Sequence, residues 1–212
     1  MGFLREFIRN PRQTGSIAAS SGPVVRMMTE SLDLSSARRV IELGAGTGAL
    51  TEGLLRRLDS DATLVAVELN REFADALRDR LTSDSNTVHV ANRSAADLPE
   101  LVREHRLGEV DAVCSSLPWT LMTPDVRGAT LDAIVDVLAD DGELVTLTCL
   151  HQAATAQGRR LRQMLRERFG QVRRQRVVWA AVPPMFAYRC SEPVRPAERG
   201  DRVGASATRR AT

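Results

Sequence analysis

Val40-Ile41-Glu42-Leu43-Gly44-Ala45-Gly46-Thr47-Gly48 is the stretch whose reading decides the fold. Val40 to Leu43 ends an apolar run over 38–43 that reads as a buried strand. Three glycines at alternate positions follow, where the backbone turns sharply and approaches a ligand closely. Thr47 to Leu58 then reads as a helix. Its free N–H groups and dipole favour a negative group at the loop. Thr63 to Glu68 is a second strand, and Glu68 at its end is placed to take both hydroxyls of a ribose. Glycines alone would also suit a dinucleotide, but the spacing is GxGxG rather than GxGxxG.

Working outward, apolar runs alternate with helical patterns, which predicts an α/β fold with a mostly parallel sheet. Asn70 caps a helix running to Leu81. Val88 to Ala91, Val110 to Cys114 and Glu143 to Thr148 are further strands. Helices are expected over 98–105, 126–138 and 159–169, the last stopped by Gly170. Asp140-Asp141-Gly142 reads as a turn. Val172 to Ala180 and Met185 to Cys190 read as two strands joined through Pro183-Pro184. Residues 1–37 form an N-terminal helical extension, 38–191 the ligand-binding domain, and 192–212 a mobile tail rich in Arg, Ala, Pro and Gly.

The chain has 212 residues, enough for one such domain. Its net charge is only +2, so overall charge does not argue for nucleic acid. All 29 basic residues are arginine, a bias that weakens arginine richness as a functional signal. Cys114, Cys149 and Cys190 show no zinc or CxxC spacing and read as reduced thiols of a cytoplasmic protein. No metal site is indicated. No apolar run approaches the ~20 residues needed to span a bilayer, so a membrane would be met from its surface.

The segment VIELGAGTGALT resembles motif I of the seven-stranded, Rossmann-like class I methyltransferases that use S-adenosylmethionine. The resemblance covers about residues 2–190. It implies S-adenosyl-L-methionine as cofactor and S-adenosyl-L-homocysteine as product. The cofactor residues it implies are Glu42, Gly44, Ala45, Gly46, Thr47, Gly48, Glu68, Leu69, Asn92, Arg93, Ser94 and Ser115. Two branches of the class are similar, the rRNA adenine dimethylases and the bacterial phospholipid N-methyltransferases. Phe3-Leu4-Arg5-Glu6-Phe7-Ile8-Arg9-Asn10-Pro11 with Thr14 to Ser21 resembles the N-terminal signature of the phospholipid branch. Ser115-Ser116-Leu117-Pro118 and Val182 to Arg189 support the same branch. Two departures stand out. Asn92-Arg93-Ser94 replaces the usual Gly-Asp-Ala, and Cys149-Leu150-His151 replaces an aromatic residue after the fifth strand.

The acceptor side begins at the end of the fourth strand, where an open α/β sheet binds ligands. Adenine dimethylases carry Asn-Leu-Pro-Tyr/Phe there, and this chain has Ser116-Leu117-Pro118-Trp119. Serine orients an amine but offers no amide carbonyl, which favours an aliphatic amine. Ser115, Ser116 and Trp119 are the candidate catalytic residues, with Trp119 equally readable as packing. His151 is a candidate proton acceptor and also readable as a solvated loop residue.

Phe3, Leu4, Phe7 and Ile8 fall on one face of a short helix, with Arg5 and Arg9 off that face. Such a helix lies in a lipid interface or packs on its own domain. Together with Ser16, Ser20, Ser21 and His151 these residues are the candidate substrate and membrane contacts. A second basic cluster, Arg159 to Arg176, reads as a phosphate site or a solvated face. The leading expectation is an enzyme at the inner face of the cell membrane, acting on phosphatidylethanolamine or a related amino lipid on an anionic surface. The alternatives are an RNA adenine methyltransferase, a small-molecule N- or O-methyltransferase and a non-catalytic cofactor-binding scaffold.

Overall fold

The computed structural model describes residues 21–81 and 88–195. The chain enters through helix α1 (Gly22–Glu30). Strand β1 (Arg39–Leu43), helix α2 (Ala49–Leu55), strand β2 (Thr63–Val67), helix α3 (Arg71–Leu81) and strand β3 (Val88–Ala91) follow. After a 3₁₀ turn come α4 (Leu98–Glu104), β4 (Val110–Ser115), α5 (Pro124–Val137) and β5 (Leu138–Cys149). The short α6 (Leu150–Ala153), α7 (Ala156–Arg168), β6 (Phe169–Arg174) and β7 (Met185–Pro193) complete the order.

Seven strands form one sheet in the order β3-β2-β1-β4-β5-β7-β6. The first five are parallel, and β7 runs antiparallel between β5 and β6. This is the Rossmann-like methyltransferase fold. Strand side chains alternate between faces, and the two cores follow that period. Ile41, Leu43, Val65 and Val113 join the core under α4, α5 and α7. Val40, Leu64, Ala112 and Cys114 join the core under α1 and α2. Each large side chain buried in either core contributes about 1.5–3 kcal/mol. Gly53 lets α1 approach α2, because a Cβ there would collide with Val25.

Four boundaries differ from the sequence expectation. Helix α2 starts at Ala49 rather than Thr47, since Gly44, Gly46 and Gly48 all take positive φ and the turn continues through Gly48. The turn expected at Asp140-Asp141-Gly142 is an excursion within β5. There Val110 pairs with Leu138 and the next pair is Ala112 with Glu143. A Cβ at Gly142 would lie 2.8 Å from the Val110 carbonyl oxygen, so glycine is required for that close approach. Helix α7 ends before Gly170, because Phe169 is already extended and buried at the start of β6. Strand β6 therefore ends at Arg174, and the chain returns through a bridge between Val178 and Met185.

The tail expected from 192 also begins later. Strand β7 reaches Pro193, Val194 is buried, and its N–H donates to the Arg168 carbonyl at 2.8 Å. Arg195 pairs with Asp140. The expected helix at Phe3–Arg9, the expected contacts Ser16 and Ser20, and the tail beyond 195 lie outside the described residues.

Candidate active site

The loop after β1 lies at the carboxyl end of the sheet, between β4 and the end of β2. Gly44 N–H and Ala45 N–H donate to the Val67 carbonyl at 2.8 and 3.2 Å, tying the loop to β2. From β2, the Glu68 carboxylate accepts from Gly46 N–H through one oxygen and from Asn70 N–H through the other, both at 2.8 Å. Each oxygen keeps a second lone pair for a ligand hydroxyl. Asn70 caps α3 by accepting from the N–H groups of Glu72 and Phe73.

One cavity of about 240 Å³ runs from this loop toward β5 and β7. Of the expected cofactor residues, Gly44, Ala45, Gly46, Thr47, Glu68, Leu69, Arg93 and Ser94 line it. Four do not. Glu42 lies buried beneath the loop, where Thr51 Oγ1 donates to its Oε2 at 2.6 Å. Its Oε1 has no hydrogen-bond partner. Burial pushes the Glu42 carboxyl up to about 7, the nearby Glu68 charge adds to this, and the Thr51 hydrogen bond opposes it. Gly48 caps α2 behind the wall. Asn92 is drawn away because its amide donates to the carbonyls of Glu68 and Leu69 at 2.9 and 3.0 Å. It shapes the end of β2 and does not line the cavity. Ser115 is fully buried in β4 outside the wall.

Arg93 and Ser94 line the rim with their polar groups engaged elsewhere. Arg93 pairs with Glu104 at 2.8 Å, and Ser94 Oγ accepts from Ala96 N–H at 3.2 Å.

The acceptor half opens beyond Ser116. The Ser116 hydroxyl donates to the Gly44 carbonyl at 2.7 Å, joining the β4 end to the glycine loop. Leu117, Pro118 and Trp119 continue the wall. Trp119 is 2% exposed, and its indole N–H donates to Thr146 Oγ1 at 2.5 Å. It packs into the wall through this bond and lines the cavity. His151 is exposed and outside the wall. Ser21 stands at the N-cap position of α1 without a side-chain capping bond, also outside the wall.

The sequence reading missed the far wall. Thr148 lines it with a buried Oγ1 that has no partner, and Thr120 Oγ1 donates to Gln152 Oε1 at 3.0 Å beside it. Leu147, Leu161, Met122, Val126 and Met185 are apolar neighbours there. The signal was present in Thr146-Leu147-Thr148, two hydroxyls on one face of an otherwise apolar strand.

A profile for a methyltransferase domain matches residues 40–142. The ornithine lipid N-methyltransferase of Singulisphaera acidiphila is 28% identical over 146 residues, covering 69% of this chain and 76% of that protein. Ribosomal RNA small subunit methyltransferase A of Psychrobacter cryohalolentis is 36% identical over 104 residues, covering 48% of this chain but 34% of its own length. The protein is an S-adenosylmethionine-dependent methyltransferase of class I. In fold it resembles the N-methyltransferase NodS of Bradyrhizobium japonicum, solved with S-adenosyl-L-homocysteine. The TM-score is 0.66 at 16% identity, covering 89% of this chain and 97% of that one.

The residues of this methyltransferase fit its cofactor. A Cβ at Gly46 would find only the Gly44 carbonyl oxygen, at 3.9 Å, so bare backbone borders open space on the cavity wall. Glu68 supplies acceptors for hydroxyls, and the apolar Leu69 and Ala95 line the same cavity. When bound, S-adenosylmethionine supplies an electrophilic methyl group.

Proposed function

We propose that this methyltransferase methylates the amine of phosphatidylethanolamine or a related amino lipid at a membrane surface. The observation that carries the reading is the chemistry of the acceptor chamber. Leu117, Trp119, Leu121, Met122, Leu147, Leu161 and Met185 line it beside the uncharged polar groups of Ser116, Thr120, Thr148 and Gln152, and among the described residues the only charged ones in the lining are Glu68 and Arg93, on the cofactor side. Such a wall disfavours an ammonium ion, so an aliphatic amine entering it gives up its proton to water. Its lone pair is then free to attack the methyl group, and the charge moves from sulfur to nitrogen. Aliphatic nitrogen needs no further activation, and holding the two reacting atoms in line supplies the remaining rate gain.

Ser116 supports the same acceptor. Its hydroxyl proton is committed to the Gly44 carbonyl, so its oxygen is left to accept from an amine N–H. The amide that would hold an adenine amino group is absent from this position. The lipid-acting relative matches most of its own length, whereas the rRNA-acting relative matches over 34% of its length. Among the described residues no helix is long and apolar enough to cross a membrane.

The test is transfer of labelled methyl groups into liposomes of phosphatidylethanolamine and phosphatidylglycerol, with product lipids weighed by mass spectrometry. Lipids heavier by one to three methyl groups are expected. No lipid product, with S-adenosyl-L-homocysteine binding intact, would sink the acceptor assignment.

A further inference from the structure

Four large hydrophobic residues are exposed among the described residues: Leu69 at 47%, Val126 at 38%, Trp179 at 71% and Val182 at 87%. All four lie at the cavity end of the sheet. Leu69 follows β2, and Val126 sits in the first turn of α5, which follows β4; both line the cavity. Trp179 and Val182 belong to the segment between β6 and β7. The pairing of Cys149 with Met185 puts the start of β7 beside the end of β5, so this segment projects from the same end. Nothing in the parallel strands requires apolar residues to gather at one end, and single exposed ones elsewhere would be ordinary.

We propose that the rim around the cavity mouth is a docking face for an anionic lipid surface, with Trp179 and Val182 as the residues that enter it. The proposal rests on the reading of the acceptor as a lipid amine. Trp179 carries the area and the amphipathic ring suited to a membrane–water boundary. Arginines stand at the same end of the sheet. Arg174 ends β6 with its guanidinium 4.3 Å from the Phe186 ring centroid. Arg176 follows in the same segment and is exposed, paired with Glu30 at 2.7 Å. Arg159 and Arg160 are exposed in the first turns of α7, which starts just past the end of β5. Arginines at such a surface are drawn to anionic headgroups. Docking by this face presents the cavity mouth to the bilayer, so an amine reaches the chamber without its acyl chains crossing water.

The chain contains two tryptophans, and the other, Trp119, is buried. Trp179 is therefore a built-in probe. Adding phosphatidylethanolamine–phosphatidylglycerol vesicles to the full chain should shift its emission to the blue and expose it to quenching by lipids brominated on their tails. Trp179→Phe should abolish the vesicle-dependent change, leaving only the emission of Trp119. Trp179→Ala with Val182→Ser should weaken vesicle sedimentation roughly tenfold or more. The same variant should keep wild-type binding of S-adenosyl-L-homocysteine and wild-type methylation of short-chain phosphatidylethanolamine supplied as monomers. Unchanged sedimentation of that variant overturns the proposal. So does a Trp179 already shielded from acrylamide without vesicles, which would mean that the face is covered by residues 1–20 or by a second copy. Failure to methylate monomeric lipid, with vesicle docking through Trp179 intact, overturns the acceptor reading and leaves the docking face standing.

Discussion

Glu42→Gln should stabilise the protein at neutral and alkaline pH. Glu42 is fully buried, one oxygen bonded to Thr51 and the other without a partner. Its carboxyl is raised from 4.5 to about 7. A raised acid pKa means the folded state holds its proton while the unfolded state gives it up. The folded protein is thus fully stable with respect to this group below about 4.5. It loses stability as pH climbs through that window and carries the whole penalty above about 7. At 1.36 kcal/mol per pH unit the penalty is about 3 kcal/mol, most of which develops between pH 5 and pH 8. Glutamine keeps an acceptor for Thr51 and carries no charge. Thermal melts of wild type and variant at pH 5 and pH 8 check this. The variant's advantage should widen with pH by roughly 5–10 °C for a chain of this size. Parallel pH profiles would refute the claim that Glu42 is held as a strained buried acid.

Gly46→Arg should abolish cofactor binding, since a side chain there enters the cavity from a residue held at φ 53°; normal affinity in a calorimetric titration would remove the loop from the site. Glu68→Ala removes the acceptor for Gly46 N–H and for ligand hydroxyls, so affinity should drop about ten- to a hundredfold, and an unchanged value would reassign the ribose contact. Trp119→Phe leaves Thr146 Oγ1 without its indole donor in a buried setting and should cost about 1–3 kcal/mol by urea denaturation; a neutral result would mean that water takes the donor's place. His89 is held below its ordinary value by burial and by His105, whose ring centroid is 4.6 Å away. As pH falls through about 6.5, the unfolded state gains a proton that the folded state refuses, so stability falls. Glu42 acts in the opposite direction over that range, so the comparison belongs in the Glu42→Gln background. There His89→Gln should flatten the acid side, and an unchanged slope would contradict it.

The strand–loop–helix unit was legible because its signals are local. Three glycines, a following helix and an acid at the next strand end need no knowledge of partners, and Asn70 announced its cap in the same way. Strand β5 was misjudged because its excursion at Asp140–Gly142 is set by the Val110 carbonyl of another strand. Strand β7 was legible from its start at Met185, but the bounds of β6 were not, because they are set by pairing with β7 from Phe169 opposite Pro193 to Arg174 opposite Tyr188. The same division holds at the site. Ser116 and Trp119 followed directly from the end of β4. Whether Trp119 pointed at substrate or at Thr146 depended on the register of β5. Thr148 and Gln152 came into view only once β5, α6 and β7 were brought together. Asn92 stood where a ligand contact was expected, yet its amide was claimed by two backbone carbonyls, a competition that spacing does not reveal.

The most direct test of the account is a competition for the methyl group. The full chain would receive methyl-labelled S-adenosylmethionine with a bacterial lipid extract in vesicles and bacterial ribosomal RNA in the same tube. The account predicts label in amine-bearing lipids and none in RNA, and Gly46→Arg should abolish it. Label recovered in adenine of the RNA, with the lipids unmodified, would contradict it.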